Sequence, residues 1–204
     1  AREAFKLANH AILLQQLQTA GRESRPVKFD KKRGRFSFET AFKPDVTNIP
    51  EGRGAWRAFQ IGFLLMSIES SGEGLAEDRD RVELIWFPTG GGKTEAYLGL
   101  TAYTLFLRRL KDPTDAGVHV LMRYTLRLLT AQQFQRTSAL LCAMEYLRRR
   151  NESLGEGEFS IGIWVGRKNT PNNRRDALTS LRALGGRRKE PNRFLVSRCP
   201  WCRA

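Results

Sequence analysis

The stretch Phe87-Pro88-Thr89-Gly90-Gly91-Gly92-Lys93-Thr94 decides how this chain is read. An apolar run, Leu84-Ile85-Trp86-Phe87, precedes it, and Glu95-Ala96-Tyr97-Leu98-Gly99-Leu100 follows with helical character. Strand, glycine-rich turn and helix form the context of a phosphate-binding loop. Consecutive glycines let backbone N–H groups curl toward an anion with no side chain in the way. The helix start adds free N–H groups and a positive dipole end. In this reading Thr89, Gly90, Gly91, Gly92, Lys93, Thr94 and Glu95 surround a nucleotide. Lys93 neutralises the β- and γ-phosphates, and Thr94 holds Mg²⁺ through its hydroxyl. The pattern departs from the full motif at its first position, where Phe87 replaces glycine.

Outward from the loop, strand and helix alternate. Val82–Phe87, Val118–Met122 and Phe159–Val165 read as strands, with a further short one at Phe194–Val196. Helices are expected over Thr94–Leu110, Thr125–Asn151 and from Asn172 or Asn173 to Leu184. This alternation predicts an α/β fold with right-handed crossovers and a mainly parallel sheet. Upstream, helical spacing places one helix over residues 1–20, stopped at Gly21, and a second over 54–70. The basic stretch 22–35 reads as a loop, and Arg35-Phe36-Ser37-Phe38-Glu39 alternates like a short strand.

The 204 residues are enough for one good core. No apolar run approaches the roughly 18 residues of a membrane helix. Three cysteines argue against a disulfide framework and for a reducing cytoplasm. The net charge of +14 is uneven: residues 166–204 hold eleven Lys and Arg against two acids, or +9. Such a field favours a polyanion, nucleic acid above all.

Two further groups narrow the class. Arg123, Thr125 and Arg127 sit where a strand ends and a helix begins. Cations are disfavoured at a helix N-terminus unless an anionic partner is present, so these three read as a phosphodiester clamp. Gln60 lies beside Trp56 and Phe59 upstream of the loop. It reads equally as an amide at an adenine edge or as a buried amide between helices. At the C-terminus, Cys199-Pro200-Trp201-Cys202 has the spacing of half a zinc knuckle, a redox pair, or no chemistry at all.

Together, the phosphate loop, the upstream Gln60 and the run Tyr124-Thr125-Leu126-Arg127-Leu128-Leu129-Thr130-Ala131-Gln132-Gln133 resemble the Q-motif, motif I and motif Ia of a superfamily 2 helicase. Within that superfamily the chain is most similar to the helicase family of the bacterial DISARM phage-defence system. The resemblance implies an ATP-dependent DNA helicase or translocase using ATP and Mg²⁺, with DNA and a companion DISARM protein such as DrmB as partners. It implies a RecA-like first lobe at 81–198, preceded by a helical and loop segment at 1–80. A zinc-binding insertion would begin at 199–204, with Cys199 and Cys202 as its first two ligands. The acidic magnesium motif and the second lobe are missing, so the chain reads as part of a longer protein and as inactive alone. Two alternatives stay open: a non-enzymatic nucleic-acid-binding module with a regulatory nucleotide site, and a phosphate-loop NTPase unrelated to nucleic acid.

Overall fold

A computed structural model describes residues 1–19, 25–39, 42–72, 80, 82–86, 88, 91–124, 127–165, 170–171, 173–184, 192, 194 and 196–204, without the side chains of 19 and 127–129. Five α-helices dominate it: α1 (Arg2–Thr19), α2 (Ala58–Ser71), α3 (Lys93–Lys111), α4 (Arg127–Arg148) and α5 (Arg174–Leu184). A 3-10 turn spans Glu152–Leu154. Strands β1 (Val27–Asp30) and β2 (Arg35–Phe38) form an antiparallel hairpin in which Val27 faces Phe38 and Asp30 faces Arg35.

The core is helix against helix. Along α1, Ala4, Ala8 and Ala11 are fully buried. Their small side chains let its backbone come close to both α3 and α4, along which it packs. Ile12 and Leu14 of α1 meet Leu98, Tyr103 and Phe106 of α3 and Leu140, Met144 and Leu147 of α4 in one apolar cluster. Helix α3 is buried on more than one side, since α1, α2 and α4 all contact it. Trp56 bridges two of these helices. Its indole N–H donates to Asn9 Oδ1 at 2.6 Å. Its ring lies so close to Gly99 that a Cβ there would sit 2.6 Å from Cη2. Helix α5 starts as expected: Asn173 Oδ1 accepts from the Asp176 amide at 2.8 Å, and its Nδ2 donates to the Asp176 carboxylate at 2.7 Å.

The chain has a buried arginine that composition alone did not foreshadow. Arg109, near the end of α3, is 4% exposed. It donates to the carbonyls of Asp115 (3.1 Å), Leu154 (3.3 Å) and Gly157, and its guanidinium lies 4.8 Å from the Phe159 ring centroid. It fastens the 3-10 turn and the following segment to α3.

The α/β expectation is overturned. Among the described residues the sole sheet is the β1–β2 hairpin, and the protein is mostly helical rather than a RecA-like lobe with a mainly parallel sheet. Residues 82–86, 118–122 and 159–165 have strand-like composition but join no ladder. Several of their large side chains point to solvent: Val82 is 95% exposed, Trp86 84%, Val118 91% and Trp164 97%. Alternation and β-branched content report a side chain's fit to a pleated surface; they do not supply the neighbouring backbone that a ladder needs. At 194–196, residue 195 lies outside the described residues, and Phe194 and Val196 are in no strand.

Candidate nucleotide and nucleic-acid site

The glycine-rich stretch does lead into a helix, and the junction is at Gly92. Its φ of 88° and ψ of 25° place it in the left-handed region, and α3 begins at Lys93. A side chain at Gly92 would be strained by that backbone, and its Cβ would stand 2.7 Å from Gln60 Nε2. The loop therefore needs glycine here twice over. Lys93 Nζ donates to the Pro88 carbonyl at 2.9 Å, folding the ammonium back across the loop. Thr94 follows at the second position of the helix, half-buried. Thr89 and Gly90 lie outside the described residues.

Two side chains from the start of α2 hold this junction. Gln60, 5% exposed, donates from Nε2 to the Gly92 carbonyl at 2.7 Å. Its Oε1 accepts from the Arg57 amide at 2.8 Å. Arg57 Nη1 donates to the Gly91 carbonyl at 2.8 Å. Both ends of the Gln60 amide are thus engaged inside the chain, and Arg57 places a second cation beside Lys93. Arg57 does not stand out in the sequence; the available signal is its position three residues before Gln60, one helical turn away on the same face.

Glu95 makes an ion pair with Arg136 of α4, the second residue missed from sequence. Arg136 also lies near Tyr124, whose phenol is pushed up by burial, an effect this cation opposes. The Tyr124 hydroxyl contacts Met122 Sδ at 3.7 Å, and the Thr137 hydroxyl reaches the same sulfur at 3.8 Å. Glu95, Arg136 and Tyr124 thereby link the loop helix to the segment carrying Arg123, which is exposed. Thr125 and the Arg127 side chain lie outside the described residues, while Arg127 itself opens α4.

The terminal cysteines sit on a closed turn. The Cys199 amide donates to the Ala204 carbonyl at 2.9 Å, the Arg203 amide donates to the Cys199 carbonyl at 2.9 Å, and Arg203 has a φ of 60°. Burial pushes the Cys202 thiol up, but the Ala204 amide, Arg25 and Cys199 hydrogen-bond to it and together hold it below the ordinary thiol value. Burial, reinforced by the other two sulfurs, pushes Cys142 up to about 11. All three are free thiols. Among the described residues no group of three or more His, Cys, Asp or Glu is arranged around a common metal position. Two thiols on one tight turn suit a soft ion such as zinc and supply half of a tetrahedral set. Among the described residues no helix is long and apolar enough to cross a membrane.

Comparison with known proteins bears out the resemblance to the phage-defence family. The chain is 49% identical over 123 residues to the DISARM protein DrmA of Bacillus paralicheniformis, a stretch covering 57% of this chain and 11% of that protein. The matched part thus spans about a tenth of the relative's length. No family model matches the chain, and no solved structure matches it.

Proposed function

We propose, from the similarity to DrmA, that this chain belongs to a component of a DISARM anti-phage defence system and carries the nucleotide site of an ATP-dependent DNA helicase or translocase. The observation that carries the reading is the junction at Gly92, where a left-handed glycine, a lysine and a helix N-terminus coincide under two side-chain ties from α2. In this reading the amides of Gly90, Gly91 and Gly92 and of the first turn of α3 face the phosphates of ATP. Lys93 trades its bond to the Pro88 carbonyl for the β- and γ-oxygens. The Thr94 hydroxyl would hold magnesium, which would supply charge neutralisation for the phosphates. Gln60 and Arg57 act by keeping the loop in shape. Glu95, tied to Arg136, passes loop position to α4, at whose start Arg123, Thr125 and Arg127 grip DNA phosphates. Cys199 and Cys202 are the chain's half of a structural zinc site. DNA and a companion DISARM protein such as DrmB are the partners.

The test is DNA-stimulated ATP hydrolysis by the full-length protein and its Lys93→Ala variant. The reading expects stimulation in the first and loss of turnover with retained DNA binding in the second. Equal turnover in both would refute it.

A further inference from the structure

Away from the phosphate loop, aromatic rings and arginines from three distant parts of the sequence meet in one continuous track. The Arg25 guanidinium lies over the Phe38 ring of β2, 4.0 Å from its centroid, and within 5.9 Å of the Phe42 centroid. Phe42 meets Trp201 edge-on at 5.7 Å. Trp201 stands 6.1 Å from Tyr146 of α4, at an interplanar angle of 41°. The Arg150 guanidinium lies over the Tyr146 ring, 3.6 Å from its centroid, and donates to the Tyr146 carbonyl at 2.8 Å. Phe42, Tyr146 and Trp201 also line a single open cleft of about 850 Å³, with Arg149 and Arg150 at its rim.

The electrostatics of the cleft favour an anion. Its one acidic residue, Glu145, is already held: Arg148 grips it through two bonds of 2.8 and 2.9 Å, and the Phe159 amide donates to it at 2.7 Å. Among the described residues Arg149 makes long ion pairs, at 3.8 Å to Glu145 and 3.6 Å to Glu158, and its side chain is 64% exposed. The chain around it carries +14. Rings with guanidinium groups interleaved in a positive field form a platform for unpaired bases, which stack on the rings while arginines meet the phosphates.

We propose that the cleft between the C-terminal half of α4 and the Cys199–Cys202 turn is a binding surface for single-stranded nucleic acid, with Trp201 and Tyr146 stacking on bases and Arg149 and Arg150 contacting the backbone. It is separate from the Arg123–Arg127 clamp, which lies at the other end of α4; the helix's 22 residues put about 33 Å between them. It also operates without nucleotide at Lys93.

The test is fluorescence anisotropy of a labelled thymidine oligonucleotide with the full-length protein, without ATP, across a salt series. Trp201→Ala is expected to weaken binding about 5- to 150-fold. Because Trp201 also packs on α4, the exposed pair Arg149→Ala and Arg150→Ala supplies an independent readout: the salt slope should fall by about 0.7 per arginine. Oligonucleotide should quench an emission component present in wild type and absent from Trp201→Phe. Lys93→Ala should bind as wild type does. Unchanged affinity and slope in the double arginine variant would overturn the proposal. So would duplex binding as tight as single-strand binding, or a loss confined to Arg123→Ala.

Discussion

Truncating Gln60 to alanine removes the side chain that joins α2 to the phosphate loop. Two hydrogen bonds disappear, at 2.7 Å to the Gly92 carbonyl and 2.8 Å from the Arg57 amide. Each is worth about 0.5–1.5 kcal/mol net. The Gly92 carbonyl keeps the Glu95 amide as a donor at 3.2 Å, and the Arg57 amide sits at an exposed helix start where water replaces the lost acceptor. The cost therefore falls toward the lower half of the range, about 1–2 kcal/mol. If that energy holds the loop in its binding shape, affinity for a magnesium-bound, slowly hydrolysed ATP analogue drops about 5- to 30-fold. The loss should be equal for the GTP analogue, because the amide acts on the loop and not on the base. Thermal unfolding should shift down by about 2–8 °C. Titration calorimetry with both analogues, paired with a melting curve, measures all three. Unchanged affinity alongside the lowered melting point would refute the loop-holding role. A loss confined to ATP would show instead that Gln60 reads adenine.

Other consequences follow from particular contacts. Gly99→Ala drives a methyl group into the Trp56 ring and should cost about 1–3 kcal/mol in urea unfolding, with Trp56→Phe in the same chain recovering part of the loss. Arg109→Met leaves the carbonyls of Leu154 and Gly157 without their donor; a stability loss of about 2–4 kcal/mol is expected, with faster amide exchange over 152–159. Burial pushes the Glu145 carboxyl up, but the hydrogen bonds from Arg148 and the Phe159 amide outweigh it and hold the group below its ordinary 4.5. With the folded value depressed, the stabilisation is fully present above about pH 4.5 and is lost as pH falls through the folded value. Urea midpoints should therefore fall between pH 5 and pH 3 by less in Glu145→Gln than in wild type.

The helices were legible because each is written in its own apolar spacing and caps. The expected spans 94–110 and 1–20 became Lys93–Lys111 and Arg2–Thr19, and Asn173 marked the start of α5. The sheet was misread for a different reason. A helix closes its hydrogen bonds within one segment, whereas a ladder needs a second backbone at the right height and register. Leu84 and Trp86 carry the composition of a strand, and the partner edge is a property of the whole fold. β1 was missed inside 22–35 because that stretch is dominated by basic residues with Pro26 and Gly34, which outweighed the short alternation Val27-Lys28-Phe29-Asp30; its pairing is fixed by the turn, where Asp30 Oδ1 accepts from the amides of Lys32 and Arg33.

At the site, the glycines and Lys93 announced themselves through backbone need. Arg57 and Arg136 did not, since an arginine three residues from a glutamine or midway along a helix reads as ordinary surface. Arg109 stands in the last turn of α3, where a cation complements the helix dipole, and nothing in its spacing foreshadows its three carbonyl partners. Trp56, the aromatic neighbour of Gln60, is occupied by Asn9 and Gly99.

The central claim is that the junction of Gly92 and Lys93 receives the phosphates of a nucleoside triphosphate. Its most direct test is titration of the full-length protein with a magnesium-bound, slowly hydrolysed ATP analogue, beside the Lys93→Ala variant. Saturable binding that is lost or weakened at least about tenfold in the variant is the predicted result. No binding to the wild-type protein, or equal binding to both, would contradict it.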